Sequence, residues 1–150
     1  MGGGDGINSK VWVKASKKVN ITMSSENRID DAVDSDEHVV EVKDKDGVPV
    51  FLAEVVWNEH ILLRHPEIEP YKDLITQTIE NPDVRHIDPE DERVMLYYKA
   101  VPEDARPFRK ASFIRVVVKY LYPEEYNNQR TGFISSVYFV SKVKRGGRIV

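Results

Sequence analysis

The sequence contains no cysteine among its 150 residues. This absence excludes disulfide bridges, thiolate nucleophiles and cysteine-ligated zinc or iron–sulfur sites. No apolar run approaches the roughly 20 residues that a membrane-spanning helix needs. Residues 1–6 also lack the basic start and the apolar stretch of a secretory signal. We therefore expect a cytoplasmic protein that does not contact a membrane.

Other chemical signatures are missing as well. No glycine-rich loop opens a helix with phosphate-binding spacing, and no Gly-x-Ser-x-Gly nucleophile elbow occurs. His60 and His65 are five residues apart, about 140° around a helix, and so do not form the four-apart pair of a zinc-binding His-Glu-x-x-His motif. We expect neither a metal site nor a cofactor.

The chain has a composition typical of one folded domain, with 41% hydrophobic and 31% charged residues. Residues 1–36 combine a glycine run with an acidic, apolar-poor stretch, which predicts a flexible or loosely docked arm. Residues 37–150 are predicted to form a single α+β domain.

Charge is distributed unevenly along the chain, although the net charge is only −3. Residues 105–150 carry ten Lys or Arg and two Asp or Glu, a balance of +8, whereas residues 1–104 carry 12 basic and 23 acidic residues, a balance of −11. Either the C-terminal half presents a basic surface to polyanions, or the two halves pack together and neutralise each other. Charge alone favours neither.

The predicted architecture is two short helices packed on one face of a four-stranded antiparallel sheet, with an N-terminal β-hairpin. The hairpin turns at residues 44–47, and the helices cover residues 57–65 and 70–80, each ending near a proline. Four later segments are rich in β-branched and aromatic residues and have no helix between them, which favours antiparallel pairing. They are residues 84–87, 93–101, 112–122 and 131–142.

Strict alternation of side chains across a strand divides the polar residues between two faces. Ile114, Val116 and Val118 are predicted to lie under the helices together with Phe133, Ser135, Val137 and Phe139. The open face would then carry three cations and two hydroxyl groups, those of Arg115, Lys119, Ser136, Tyr138 and Lys142. Lys99 is a candidate sixth member of this set. Such a face either binds a phosphate and stacks a base, or is a solvated face whose cations prevent edge pairing.

The histidines have two interpretations. His65 lies at a predicted helix C-terminus, where the helix dipole favours the imidazolium, and this suits a general acid. A histidine before proline is equally a polar helix cap. His38 and His86 lie at strand ends and are interpreted as structural or surface residues.

Several short motifs, taken in order, resemble one family. They are Trp57-x-x-His60-Ile61-x-x-Arg64-His65-Pro66-Glu67, Ile79-x-Asn81-Pro82, Tyr97-Tyr98-Lys99, residues 114–119, and Gly132-Phe133-Ile134-x-Ser136-x-Tyr138. Together they resemble the phage-associated members of the barnase–EndoU–colicin–RelE-like nuclease superfamily, over residues 38 to 150.

The resemblance implies a metal-independent endoribonuclease, toxin-like in some members, in which a ribose 2′-OH attacks its own phosphodiester and leaves a 2′,3′-cyclic phosphate. The implied catalytic residues are His65 or His60, Lys99, Arg115, Ser136 and Tyr138. The basic residues expected to bind RNA are Lys119, Lys142, Lys144 and Arg145. Expected partners are tRNA or another cellular RNA, and an immunity or antitoxin protein. The alternative is a non-catalytic module that binds RNA or protein on the same scaffold.

Overall fold

The structure is a computed structural model that describes residues 32–144 and 148–150. Its strands are β1 (His38–Lys43), β2 (Pro49–Ala53), β3 (Val84–Asp88), β4 (Asp91–Ala100), β5 (Phe113–Leu121), β6 (Thr131–Val140) and the two-residue β7 (Arg148–Ile149). Residues 32–34 are helical (α1). Helix α2 consists of Glu54–Val56, a π-helical turn at Trp57–Ile61, and then Leu62–Arg64. A 3₁₀ segment, Pro66–Tyr71, then leads into α3 (Lys72–Glu80). None of the helices in these ranges is long and apolar enough to cross a membrane.

The strands form one mixed sheet in the order β1-β2-β6-β5-β4-β3-β7. The protein is α+β, but the predicted four-stranded antiparallel sheet with two helices is wrong. The hairpin β1–β2 joins the sheet, because β2 pairs in parallel with β6 through Val50–Gly132 and Phe51–Phe133. Both helices separate β2 from the later strands, so no short connection forces antiparallel pairing there.

Gly132 allows the sheet to pack closely where β6 meets β2 and β5. A Cβ atom at this position would lie 2.8 Å from Tyr120 Cε1 and 2.8 Å from Val118 Cγ1. Both distances are shorter than van der Waals contact, so a side chain here would displace two buried neighbours.

The main hydrophobic core lies between one face of the sheet and the helices. It combines Ile114, Val116 and Val118 of β5 with apolar residues of α2 and α3, all of them buried. From the helices it includes Val56, Trp57, Ile61, Ile75 and Ile79. The burial predicted for this face of β5 is therefore correct, and we call it the helix face.

A bulge in β6 changes the predicted faces of that strand. Val117 pairs with Ser136 but Val118 pairs with Ile134, which leaves Ser135 as an extra residue. Ile134 is therefore fully buried opposite Val118, and Phe133 lies opposite Lys119. The sequence-based prediction assigned each of these two β6 residues to the face opposite to the one it occupies, because it assumed an uninterrupted alternation of side chains.

A polar network is buried on the helix face around the β1–β2 turn. Asp44 is 6% exposed, and its Oδ1 accepts hydrogen bonds from the backbone N–H groups of Asp46 and Val48, each at 2.9 Å. The Tyr120 hydroxyl donates to Asp44 Oδ2 at 2.8 Å and also bonds the Tyr97 hydroxyl. Burial raises the pKa of Tyr120 far above its ordinary range, and burial also raises the pKa of Tyr97. Both phenols therefore remain protonated and can donate.

Most of the arm predicted at residues 1–36 lies outside the described residues. Within the described part, Ala32 is fully buried and belongs to the core, with Val33 packed against it. The core of the described chain therefore includes residues of α1.

Candidate functional site

The opposite face of the sheet is organised around Arg115, whose guanidinium is held between two tyrosines. Arg115 Nε donates to the Tyr98 hydroxyl at 3.0 Å, and Nη1 donates to the Tyr138 hydroxyl at 2.6 Å. The guanidinium carbon also lies 5.2 Å from the centroid of the Tyr98 ring and 5.1 Å from that of Tyr138. The β-ladder fixes this arrangement, because Arg115 of β5 pairs with Tyr98 of β4 and Tyr138 of β6. Four contacts therefore hold one cation in a defined orientation.

The end of α2 brings His65 to this cluster. The imidazole stacks on the Tyr138 ring, with centroids 5.4 Å apart and planes at 23°. Helix α2 ends because His65 leaves helical geometry immediately before Pro66. Nδ1 of His65 lies 3.6 Å from Glu67 Oε2, and the side chain is 35% exposed. His65 thus contacts the tyrosine whose hydroxyl binds Arg115.

Tyr98 supports Arg115 from the interior. It is fully buried, and its hydroxyl accepts a second hydrogen bond, from the Lys144 backbone N–H at 3.0 Å. Its ring stacks on His86 with a centroid distance of 5.5 Å. The hydroxyl that positions Arg115 therefore also binds the segment that follows β6.

Arg115 and Tyr138 line a groove with a volume of about 360 Å³. Its apolar lining is Val94, Leu96 and Val117, and its polar lining is Arg115, Lys119, Lys144, Ser135, Tyr138, Asp88, Glu90 and Asp91. The three apolar side chains form a floor beside a fixed hydrogen-bond donor, and the rest of the lining is polar.

Two of the three groove cations are paired with carboxylates. Lys119 Nζ lies 3.3 Å from Asp91 Oδ2, and Lys144 Nζ lies 3.0 Å from Asp88 Oδ1. In the part of the chain that the structure describes, Arg115 has no ion-pair partner; its bonds go to neutral hydroxyls. The C-terminal cations are thus neutralised in part by acidic residues from earlier in the chain, as one of the two charge interpretations predicted.

The structure brings together some of the predicted site residues and separates others. Arg115, Tyr138 and His65 form one cluster, and Lys119 and Lys144 line the same groove. Lys99 pairs with Ile114, so it lies on the helix face, where its Nζ donates to the Asn81 carbonyl at 2.8 Å. The predicted placement of Lys99 beside Arg115 is therefore corrected.

The other predicted residues do not line the groove or lie beyond what is described. Ser136 pairs with the groove residue Val117 and so lies on the same face of the sheet, but Ser135 is the serine that lines the groove. His60, His65 and Lys142 do not line it; His65 contacts the groove residue Tyr138, and Lys142 is exposed. Arg145 lies outside the described residues.

Sequence reasoning did not identify Tyr98, Ser135, Asp88 or Asp91 as part of the site. Tyr98 shares a face of β4 with the apolar Leu96, and only the pairing of β4 with β5 shows that this face is continuous with that of Arg115. Ser135 reaches the groove because of the bulge, for which the sequence has no clear signal. Asp88 and Asp91 lie between two predicted strands, and their contacts with Lys144 and Lys119 depend on the folded sheet.

No family model, no curated protein and no solved structure matches the chain. Within residues 32–144 and 148–150, no three His, Asp or Glu side chains are grouped so that they could hold a metal ion. The site is therefore interpreted from its own side chains.

Proposed function

We propose that the protein is a metal-independent endoribonuclease whose site is the Arg115–Tyr138–His65 cluster. One observation carries the proposal: Arg115 is a cation without a described carboxylate partner, held by two phenols at the wall of an apolar-floored groove. A rigid guanidinium with free N–H groups suits the oxygens of a phosphodiester. The adjacent phenol and imidazole are groups that can transfer protons.

The reaction is an internal transfer of the phosphoryl group. The ribose 2′ oxygen forms a bond to phosphorus, the bond from phosphorus to the 5′ oxygen breaks, and the products are a 2′,3′-cyclic phosphate and a 5′-hydroxyl. His65 takes the proton from the 2′-OH, so it acts here as the base rather than as the acid that its helix-end position suggested. The Tyr138 hydroxyl gives its proton to the leaving 5′ oxygen, and Arg115 stabilises both the phosphorane charge and the remaining phenolate.

The hydrogen-bond pattern at Tyr138 suits this role. Its hydroxyl oxygen accepts from Arg115 Nη1 at 2.6 Å, so its hydrogen is directed to another acceptor. The apolar floor of Val94, Leu96 and Val117 lies along the same groove and provides a surface for a base. Phosphate binding and base binding thus occur on neighbouring parts of one sheet face.

The test is cleavage of end-labelled tRNA and mixed cellular RNA in EDTA. We expect discrete products ending in 2′,3′-cyclic phosphate, and no cleavage where a 2′-deoxynucleotide replaces the ribose at a cleaved position. Arg115→Met should slow the reaction roughly 10²- to 10³-fold, the usual effect of removing one donor to a developing charge. His65→Gln should slow it about 10²- to 10⁴-fold.

Lys99→Met is the matched control, because it removes a lysine on the opposite face of the sheet. It should retain the wild-type rate. Intact RNA at a large excess of protein would reject the nuclease. RNA binding that persists without cleavage and depends on Arg115 would instead support the alternative, a non-catalytic binding module.

A further inference from the structure

The groove has almost no excess of positive charge, although its sheet face is rich in lysine and arginine. Three basic side chains line it, Arg115, Lys119 and Lys144, and so do three carboxylates, Asp88, Glu90 and Asp91. Two of these cations are engaged in the ion pairs Lys119–Asp91 and Lys144–Asp88. Arg115 is the one groove cation of the described chain left without a carboxylate.

The backbone of the β3–β4 turn holds both aspartates in place. Asp88 Oδ2 accepts the Glu90 N–H at 3.3 Å, while its Oδ1 faces Lys144. Asp91 Oδ1 accepts the Arg93 N–H at 3.0 Å, while its Oδ2 faces Lys119. Each carboxylate thus has one oxygen bound by the turn and the other by a lysine, so neither is free to swing away when an anion enters.

From this arrangement we infer that Asp88 and Asp91 are specificity-determining residues that restrict the groove to a single internal phosphodiester in a single-stranded region of RNA. They cancel the charge of Lys144 and Lys119, so that only Arg115 remains to neutralise a phosphate. A duplex or a run of adjacent phosphates would bring further negative charges against carboxylates whose lysines are already paired. This inference rests on the proposed function and deepens it by naming the substrate class.

The salt dependence of binding measures the number of phosphates that the protein neutralises. For single strands, the slope of log K against log salt concentration is about −0.7 for each neutralised phosphate. One phosphate predicts a slope of about −0.7 for the wild-type protein, and three phosphates would give roughly −2.1. We would measure the slope by fluorescence anisotropy with a labelled 2′-O-methyl oligonucleotide, which lacks the nucleophile and so cannot be cleaved by this chemistry.

Four variants of the groove test the role of the aspartates. Asp91→Asn releases Lys119, and Asp88→Asn releases Lys144, so each should steepen the slope to about −1.4 and the double variant to about −2.1. Each release should tighten binding at low salt by up to about fivefold, the effect of one exposed ion pair. The Lys119→Met/Asp91→Asn variant removes both members of one ion pair and so should leave the wild-type slope unchanged.

Asp104→Asn is the control for the change in net charge, because Asp104 is exposed and does not line the groove. A wild-type slope near −2, or a Lys119→Met/Asp91→Asn variant with a shallower slope than wild type, overturns the inference. So does an unchanged slope in the folded aspartate variants.

A parallel sample containing the all-ribose oligonucleotide reports cleavage separately. Cleavage together with a steep wild-type slope would leave the nuclease standing and reject the single-phosphate groove. Absence of both cleavage and binding would reject the proposed function and this inference together.

Discussion

Tyr120→Phe removes one hydroxyl from the network that fastens the β1–β2 turn to the sheet. In the folded protein this hydroxyl donates to Asp44 Oδ2 at 2.8 Å and bonds the Tyr97 hydroxyl. The ring can remain in place, because phenylalanine has the same shape. The change therefore leaves Asp44, which is 6% exposed, with one donor fewer and no ready access to water.

The expected loss is that of a hydrogen bond to a charged, buried acceptor, about 1.5–3 kcal/mol of the free energy of unfolding. With a urea m-value of about 2 kcal/mol/M, the unfolding midpoint should fall by roughly 1 M. Urea titration followed by far-UV circular dichroism measures this shift directly. The m-value itself should not change, because the surface exposed on unfolding is almost the same.

Tyr126→Phe is the matched control. The Tyr126 hydroxyl makes no hydrogen bond within the described chain, and its ring packs edge-on against Phe133 with centroids 5.1 Å apart. This packing survives the substitution, so the midpoint should change by less than the equivalent of about 0.5 kcal/mol. Equal midpoints for Tyr120→Phe and wild type would refute the reasoning, since the buried network would then contribute nothing measurable.

Three further predictions follow from the same geometry. Gly132→Ala should destabilise the fold by about 1–3 kcal/mol, measured by urea unfolding, because its Cβ would lie 2.8 Å from two buried side chains. Above about pH 10, the free energy of unfolding should fall with rising pH by about 1.4 kcal/mol per pH unit for each of Tyr97 and Tyr120. The reason is that their raised pKa values keep both phenols protonated in the folded state, while the same groups lose their protons in the unfolded chain. Urea midpoints from pH 9 to about 11 would show this fall, and a flat profile would contradict it. Tyr98→Phe should lower kcat/KM for RNA cleavage roughly two- to tenfold, because Arg115 Nε loses its acceptor. Steady-state rates for a variant confirmed as folded by circular dichroism would measure the loss. An unchanged kcat/KM would show that Tyr98 does not position Arg115.

Local sequence patterns were sufficient to place most of the elements. The β-branched runs correspond to β3, β4, β5 and β6, and Pro66 does follow the end of α2. The sheet order was not predictable, because pairing of β2 with β6 joins segments about 80 residues apart and depends on only two residue pairs. Tertiary packing decides such a pairing, and a single sequence records it only indirectly.

The site was partly predictable for a similar reason. Arg115 and Tyr138 were assigned to one face by alternation alone, and their pairing in the structure agrees with that assignment. Lys99 was misplaced because alternation shows which residues of β4 share a face but not which face joins that of Arg115. The neutralisation of Lys119 and Lys144 depends on a turn that is distant from them in sequence, so residue counts could not reveal it.

The central claim is that Arg115, on the groove face of the sheet, acts on an RNA phosphodiester. Its most direct test is the initial rate of RNA cleavage in EDTA for wild type, Arg115→Met and Lys99→Met at equal concentrations of folded protein. We predict that wild type and Lys99→Met cleave at the same rate and that Arg115→Met is roughly 10²- to 10³-fold slower. Equal rates for wild type and Arg115→Met, or a loss confined to Lys99→Met, would contradict it.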